Sequence, residues 1–316
     1  MIRILAATAA LALLTACDGE QPFDFGVVAP PVVEPPGLTP DEIEAQAAIA
    51  KSIAGGLIGG TYSVADGTLT VRIPLDAGDI NTAYDRNPAL DVPGYIAFSV
   101  QDDPLDRIYI GMAARSADNS VEGVLAMDGG QFNRFFGGTT FRQIGNYTEA
   151  PANPTTGLVS YAGSYIGLSN LNANTTTIGL PVPGGTNPAL IPEQAGRVTG
   201  DVFINADFAE NEVNGLIYNR NSIDNSVPME NVVLIVTSID ADGRFLGNVE
   251  NEALDDIGDY GGTFGGLNAS GVAGGIHLTD YIDGIEFEEE YGIFVLTQCG
   301  LTGDAGAICD GVQPDF

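Results

Sequence analysis

Cations are scarce in this sequence. Its 316 residues hold 11 Lys and Arg against 42 Asp and Glu, a formal net charge of −31, and Lys51 is the only lysine. A chain this acidic repels nucleic acid and anionic headgroups, and no basic stripe is present to track phosphates, so nucleic acid is excluded as a partner. Solubility in a salty exterior explains the charge most simply; a basic protein partner is the alternative reading. Histidine is nearly absent, with His277 alone, and there are three cysteines. A metal site would want further His or Cys ligands. A Ser-His-Asp triad would have to run through His277, which sits between Ile276 and Leu278 in a strand-like run, and no Gly-x-Ser-x-Gly elbow occurs. No catalytic residue, cofactor or metal is therefore expected, and the chain is read as non-enzymatic. Apolar runs are also short. The longest, residues 4–14, falls below the roughly 20 residues a membrane-spanning helix needs.

That apolar run has another use. Arg3 precedes it as a short positive region, and Thr15-Ala16 supply small residues before Cys17. The order of charge, apolar core and small-residue cleavage site reads as a secretory signal. Leu14-Thr15-Ala16-Cys17 also matches the lipobox of bacterial lipoproteins, which implies lipidation of Cys17 and cleavage before it. Several acyl chains, at about 0.8 kcal/mol per buried CH₂, would hold the protein to a membrane. Asp18 at the next position leaves inner-membrane retention open beside an outer-membrane destination. The remaining cysteines, Cys299 and Cys309, are expected to pair in an oxidising exterior, where so short a closed loop contributes about 3 kcal/mol. Two free thiols or half of a metal site are the alternatives.

Hydrophobic residues make up 44% of the chain and charged ones 17%, enough for a core, and 42 glycines with many tight-turn dipeptides favour β-structure. Residues 18–38 are rich in proline and read as an extended tether. Thr39-Pro40-Asp41-Glu42 is a helix start, with Thr as cap, Pro at the first turn and Glu closing a capping box. Ile43, Ala47, Ala50 and Ala54 would form the docking face of that helix, which Gly55-Gly56 should end. Strands are expected at 68–73, 95–100, 107–113 and 121–127, and Pro151-Ala-Asn-Pro154 reads as a boundary. Beyond it lie eight more strands, at 158–168, 198–206, 212–218, 231–239, 245–250, 260–266, 272–278 and 291–297. Eight antiparallel strands with short connections can close into a barrel. The glycines of the sixth and seventh (Gly261, Gly262, Gly265, Gly266, Gly274, Gly275) would let them bend at barrel corners. Asp240-Ala-Asp-Gly243 is read as a hairpin turn and not a calcium loop, because Arg244 occupies the fifth position. Glu286-Phe-Glu-Glu-Glu290 is read as a solvated acidic loop, with weak cation binding as the alternative.

The second half carries a family resemblance. Tyr161-Ala-Gly-Ser-Tyr-Ile-Gly167, Gly200-Asp-Val-Phe-Ile-Asn-Ala-Asp207-Phe208, Val213-Asn-Gly215, Gly243-Arg-Phe245-Leu-Gly247 and Tyr260-Gly-Gly-Thr-Phe264-Gly-Gly266 occur in that order, before Val272-Ala-Gly-Gly275. The set resembles the β-barrel domain of transferrin-binding protein B-like surface lipoproteins over about residues 157–298. The resemblance implies an all-β fold: an eight-stranded antiparallel β-barrel preceded by a smaller β-rich handle-like region and a short N-terminal helix. It also implies lipid anchoring, cell-surface display and protein binding through cap-face loops. Only one barrel is evident where transferrin binders proper have two lobes, so transferrin binding is not carried over. The shared Gly and Tyr positions are expected to build the barrel and form no site.

The expected organisation is a signal peptide at 1–16, a lipidated tether at 17–38, a helix plus handle-like region at 39–150 and the barrel domain at 151–316. The function expected is that of a monomeric envelope or cell-surface lipoprotein. It would be held to the membrane through Cys17 and would bind a protein or small solute through barrel loops. A structural lipoprotein without a discrete ligand, or a secreted hydrolase, are the competing readings.

Overall fold

The computed structural model describes residues 39–57, 59–63, 65–73, 80–131, 134–151, 158–172 and 178–312. The signal peptide, Cys17, Asp18 and the tether lie outside the described residues, and Pro154 does as well.

The chain enters through helix α1 (Pro40–Ala54). Thr39 caps it reciprocally: Glu42 N donates to Thr39 Oγ1, and Thr39 N donates to Glu42 Oε2 at 2.7 Å. The face that docks differs by a small rotation from the one the sequence suggested. Ala50 and Ile53 are buried and Ile43 and Ile49 half-buried, whereas Ala47 is exposed. Burying Ile53 contributes about 2 kcal/mol to seating the helix.

Seven strands follow: β1 (Gly59–Ser63), β2 (Thr68–Ile73), β3 (Ile80–Arg86), β4 (Ile96–Val100), β5 (Tyr109–Arg115), β6 (Val121–Asp128) and β7 (Gly137–Gln143). They form one antiparallel meander in sequence order, nearly closed on itself around Leu69, Val71, Tyr84 and Phe98. β1, β3 and β7 were not foreseen, because they are built largely from Gly, Thr, Asn and Asp and carry no apolar alternation.

The remaining strands are β8 (Leu158–Asn172), β9 (Ala195–Asp207), β10 (Glu212–Ser222), the two-residue β11 (Val227–Pro228), β12 (Val232–Ser238), β13 (Arg244–Glu250), β14 (Asp256–Gly265), β15 (Gly271–Thr279) and β16 (Glu289–Thr297). All but β11 make a closed antiparallel barrel in the order β10-β12-β13-β14-β15-β16-β8-β9, with β9 pairing back to β10. Its eight strands are those the sequence indicated. A short helix α2 (Ala307–Val312) follows, and Cys309 on it is disulfide-bonded to Cys299.

Burial patterns show how the two sheets meet. β10 and β13 alternate buried and exposed positions, as strands with one wet face should. β6, β15 and β16 are buried almost throughout, because their outer faces are covered too. Ile110, Met112 and Leu125 of the seven-stranded sheet pack there against Ile166, Tyr291 and Ile293 of the barrel wall. Tyr95 Oη donates across this junction to Ser164 O at 2.6 Å.

The glycine doublets of β14 and β15 serve close approach. Gly261 pairs with Gly275, and Gly262 with Gly274. A Cβ on Gly275 would collide with Thr139 of β7 and lie 2.8 Å from Ile53 of α1. A Cβ on Gly262 or Gly274 would strike the rings of Phe245 or Phe294. The outward pair thus makes a bare patch that receives the helix, and the inward pair makes room for core aromatics.

Candidate ligand-binding cleft

The two ends of the barrel differ. One end carries the short β9–β10, β12–β13 and β14–β15 turns. Thr148 crosses it, donating from N to Gly266 O and accepting from Ala269 N. Asp240 Oδ1 closes the β12–β13 turn by accepting from Asp242 N and Arg244 N, so the Asp240–Gly243 segment is a hairpin turn. Beneath it Phe264 is ringed by Tyr161, Phe208 and Phe245, with centroids 5.1–5.4 Å away. Tyr161 Oη donates to Ala269 O at 2.6 Å. This is the closed end.

The opposite end is built from polar groups. Glu290, at the start of β16, points inward and is fully buried. Its Oε1 accepts from Tyr165 Oη at 2.6 Å, and its Oε2 accepts from Arg220 Nη2 at 2.8 Å and Tyr281 Oη at 3.0 Å. The facing glycines Gly167 and Gly292 leave the space: a Cβ on Gly167 would lie 2.5 Å from the Glu290 carboxylate, and one on Gly292 would overlap the Tyr165 hydroxyl. Burial first, and the Glu290 charge second, push both phenols well above their ordinary range, so they stay donors. Burial works against the Arg220 charge, but Glu290, Tyr165 and Tyr281 together outweigh it and the guanidinium is held more firmly protonated.

Arg220 faces inward because of a bulge. Val213, Gly215 and Ile217 are the inward positions of β10, and strict alternation would put Asn219 inside and Arg220 outside. The register against β9 shifts between Tyr218 and Asn221, and Asn219 takes a left-handed backbone (φ +52°). Parity flips, Arg220 turns in and Asn219 faces solvent. Nothing in the residue pattern announced this beyond an Asn beside an Arg.

Over this group lies a cleft of about 570 Å³, walled by Leu171, Val227, Pro228, Met229, Ile282 and Ile285, with Arg220 and Tyr281 among its lining residues. Arg220 Nη1 donates to Glu230 O at 2.9 Å, its plane lies over the Tyr281 ring at 5.5 Å, and its Nε–H has no protein partner. The Glu286–Glu290 segment is therefore only partly a solvated loop: Glu286 and Phe287 are exposed, whereas Glu288 and Glu290 are buried. Glu288 is 1% exposed and accepts from Ile282 N at 2.6 Å, which fixes the β15–β16 loop; Glu290 is at the foot of the cleft. Of the shared tyrosines, Tyr161 packs in the closed-end core, whereas Tyr165 belongs to this buried polar cluster.

His277 has partners the sequence could not show. Ser52 Oγ of α1 lies 2.7 Å from its Nδ1 and Glu289 Oε2 3.3 Å from its Nε2, while the ring stacks on Tyr291 at 4.3 Å. Asp259 shares Ser52; burial raises its carboxyl, countered by the Ser52 hydrogen bond and the His277 charge. Serine, histidine and carboxylate are in line, but Ser52 is tied to two partners on the wall where α1 docks. The set fastens the helix to the barrel. Among the described residues no group of three or more His, Cys, Asp or Glu is placed to hold a metal, and no helix is long and apolar enough to cross a membrane.

No family model matches the sequence, and no curated protein matches it. Among solved structures, intact Ap-TbpB with its N and C lobes is 11% identical at a TM-score of 0.37, over 76% of this chain and 54% of that one. A transferrin binding protein B double mutant from Haemophilus parasuis Hp5 gives 0.37 and 11%, over 76% and 52%. The isotype 1 protein from serogroup B Neisseria meningitidis gives 0.32 and 12%, over 76% and 51%. The chain spans about half the length of these structures, and the likeness does not assign it to a family.

Proposed function

We propose that this chain is a non-enzymatic lipoprotein, anchored through Cys17 to the outer membrane, that binds a protein or small solute through the loops at the open end of its barrel. The observation that carries this reading is the company the cleft keeps. Val227, Leu254, Ile285 and Phe287 stand 44–80% exposed on the three loops β10–β12, β13–β14 and β15–β16 around that end. Leu254 and Phe287 do so with left-handed backbones (φ +67° and +63°), which cost L-residues of this bulk roughly 1–2 kcal/mol each. Strain spent on presenting apolar side chains to water is a feature of binding surfaces. The lipobox supports the anchor. Six arginines, at 86, 107, 115, 142, 197 and 220, are held in internal salt bridges, which leaves an acidic exterior suited to remaining dispersed.

Retention of envelope components by the full chain tests the reading. A partner should be retained by the parent protein and by Leu267→Asp at the closed end, and lost from Phe287→Asp. Repeated failure to retain anything would favour a structural lipoprotein. Metabolic labelling with a fatty acid that persists in Cys17→Ser would sink the anchor.

A further inference from the structure

We infer that Asp259, Ser52, His277 and Glu289 form a clasp between helix α1 and the barrel that closes fully only while it holds one extra proton, so that rising pH loosens the helix. Counting hydrogens carries this. Three contacts run in line: Ser52 is hydrogen-bonded to the Asp259 carboxylate, Ser52 Oγ lies 2.7 Å from His277 Nδ1, and His277 Nε2 lies 3.3 Å from Glu289 Oε2. Each contact needs a hydrogen. With a neutral imidazole and ionised carboxylates the set holds two, one on the Ser52 hydroxyl and one on the ring. With the ring hydrogen on Nε2, Ser52 must give up either Asp259 or His277. With it on Nδ1, a bare lone pair on Nε2 faces the Glu289 carboxylate. A third hydrogen, on the imidazole or on the Asp259 carboxyl, satisfies all three contacts at once. The surroundings favour taking it up. On β14, Asp256 adds like charge beside Asp259. On β16, burial and Glu289 keep Tyr291 a phenol, and it stacks on the ring and hydrogen-bonds to Glu289. Ile53 of α1 and Gly137 and Thr139 of β7, packed on the same wall, carry no charge, and Lys51 beside Ser52 is exposed. Histidine ordinarily changes charge between about pH 5 and 8, so the third hydrogen is present on the acid side of that window and lost on the alkaline side. Burial of Ile53 and the hydrogen bond from Thr139 Oγ1 to Ile53 O remain, so docking weakens without being abolished. A consequence for reach rests on the anchor proposed through Cys17: the 15 residues of α1, once released, would extend to as much as roughly 50 Å between the tether and the barrel.

The chain carries its own reporter. Lys51 is its only lysine and lies on α1, so a lysine-specific protease cuts the full chain at one place, when the helix opens. Cleavage is timed between about pH 5.5 and about pH 8.5, and divided at each pH by cleavage of a free peptide of the same residues, which removes the protease's own pH dependence. In the parent the ratio should rise about tenfold with pH, as expected for losing one hydrogen bond to a charged group. Asp259→Asn donates the third hydrogen from its amide at every pH, so its ratio should stay near the parent's low-pH value and vary less than about twofold. Ser52→Ala removes two of the three contacts and should be cut at least as fast as the parent at high pH, throughout the range. A parent ratio indifferent to pH, or Asp259→Asn that rises as the parent does, would overturn the clasp. If Asp259→Asn is cut rapidly at every pH, His277→Gln, which has no titrating ring, decides: a flat ratio supports the clasp and a persisting rise overturns it. The anchor is tested separately by the fatty-acid label. If the label fails while the clasp holds, only the consequence for reach falls; if the cleavage ratio fails, the clasp falls and the anchor is untouched.

Discussion

The closed and open ends of one barrel solve the same steric problem in opposite ways. At the closed end the turns take left-handed backbone at Asn211 and Asn268, residues that tolerate it, and at the small Ala269, and aromatic rings fill the interior below. At the open end the same conformation is taken by Ser226, Leu254, Asp280 and Phe287, and the interior is closed by an arginine, a glutamate and two tyrosine hydroxyls. One end keeps its left-handed positions to small or Asn residues over an aromatic core. The other accepts strain and desolvation, and a cleft lies over it. Such local departures from good folding practice concentrate at functional sites.

The comparison can be broken by substitutions on either side. Phe264→Ala, at the centre of the closed-end cluster, should cost about 4 kcal/mol in denaturant unfolding. Retention of the open-end partner by the folded fraction should be unchanged. Glu290→Ala strands the buried Arg220 charge and should cost about 3 kcal/mol. The double variant Arg220→Met/Glu290→Leu should lose less than that single change; equal or greater loss would mean that the pair is structural. Phe287→Asn relieves the left-handed strain and should raise stability by about 1 kcal/mol while losing the retained partner. A loss of stability there would remove the strain argument.

The smallest effect concerns the junction of the closed end with the seven-stranded sheet. Burial tends to raise the Asp118 carboxyl, but hydrogen bonds from Ser270, Ser120 and Ser116 outweigh it and hold it low. A depressed carboxyl stabilises fully above its unfolded pKa, and the contribution is lost as pH falls through the folded value. Melting temperature should therefore fall slightly more on acidification in the parent than in Asp118→Asn. Asp118 is exposed, so the difference should stay below about 1 kcal/mol.

The barrel was legible in the sequence because its strands alternate or run apolar between Gly, Asn and Asp turns, and all eight were placed. Half of what surrounds it was not. β1, β3 and β7 carry no apolar pattern of their own. The glycine doublets are plain in the sequence, but their purpose depends on Ile53 and Thr139 arriving from distant segments. The site was hidden by parity. Arg220 reads as outward until the bulge at Asn219 turns it in, and the acids at 286–290 read as solvated until Arg220 and the two tyrosines come to meet Glu290.

Hydroxyl-radical footprinting compares the protein in its native envelope with the purified chain and needs no knowledge of the ligand. If the open end is the binding face, Val227, Leu254, Ile285 and Phe287 should lose reactivity in the envelope while Leu267 and Leu301 keep theirs. Equal reactivity in both settings, or protection confined to the closed end, would contradict that assignment.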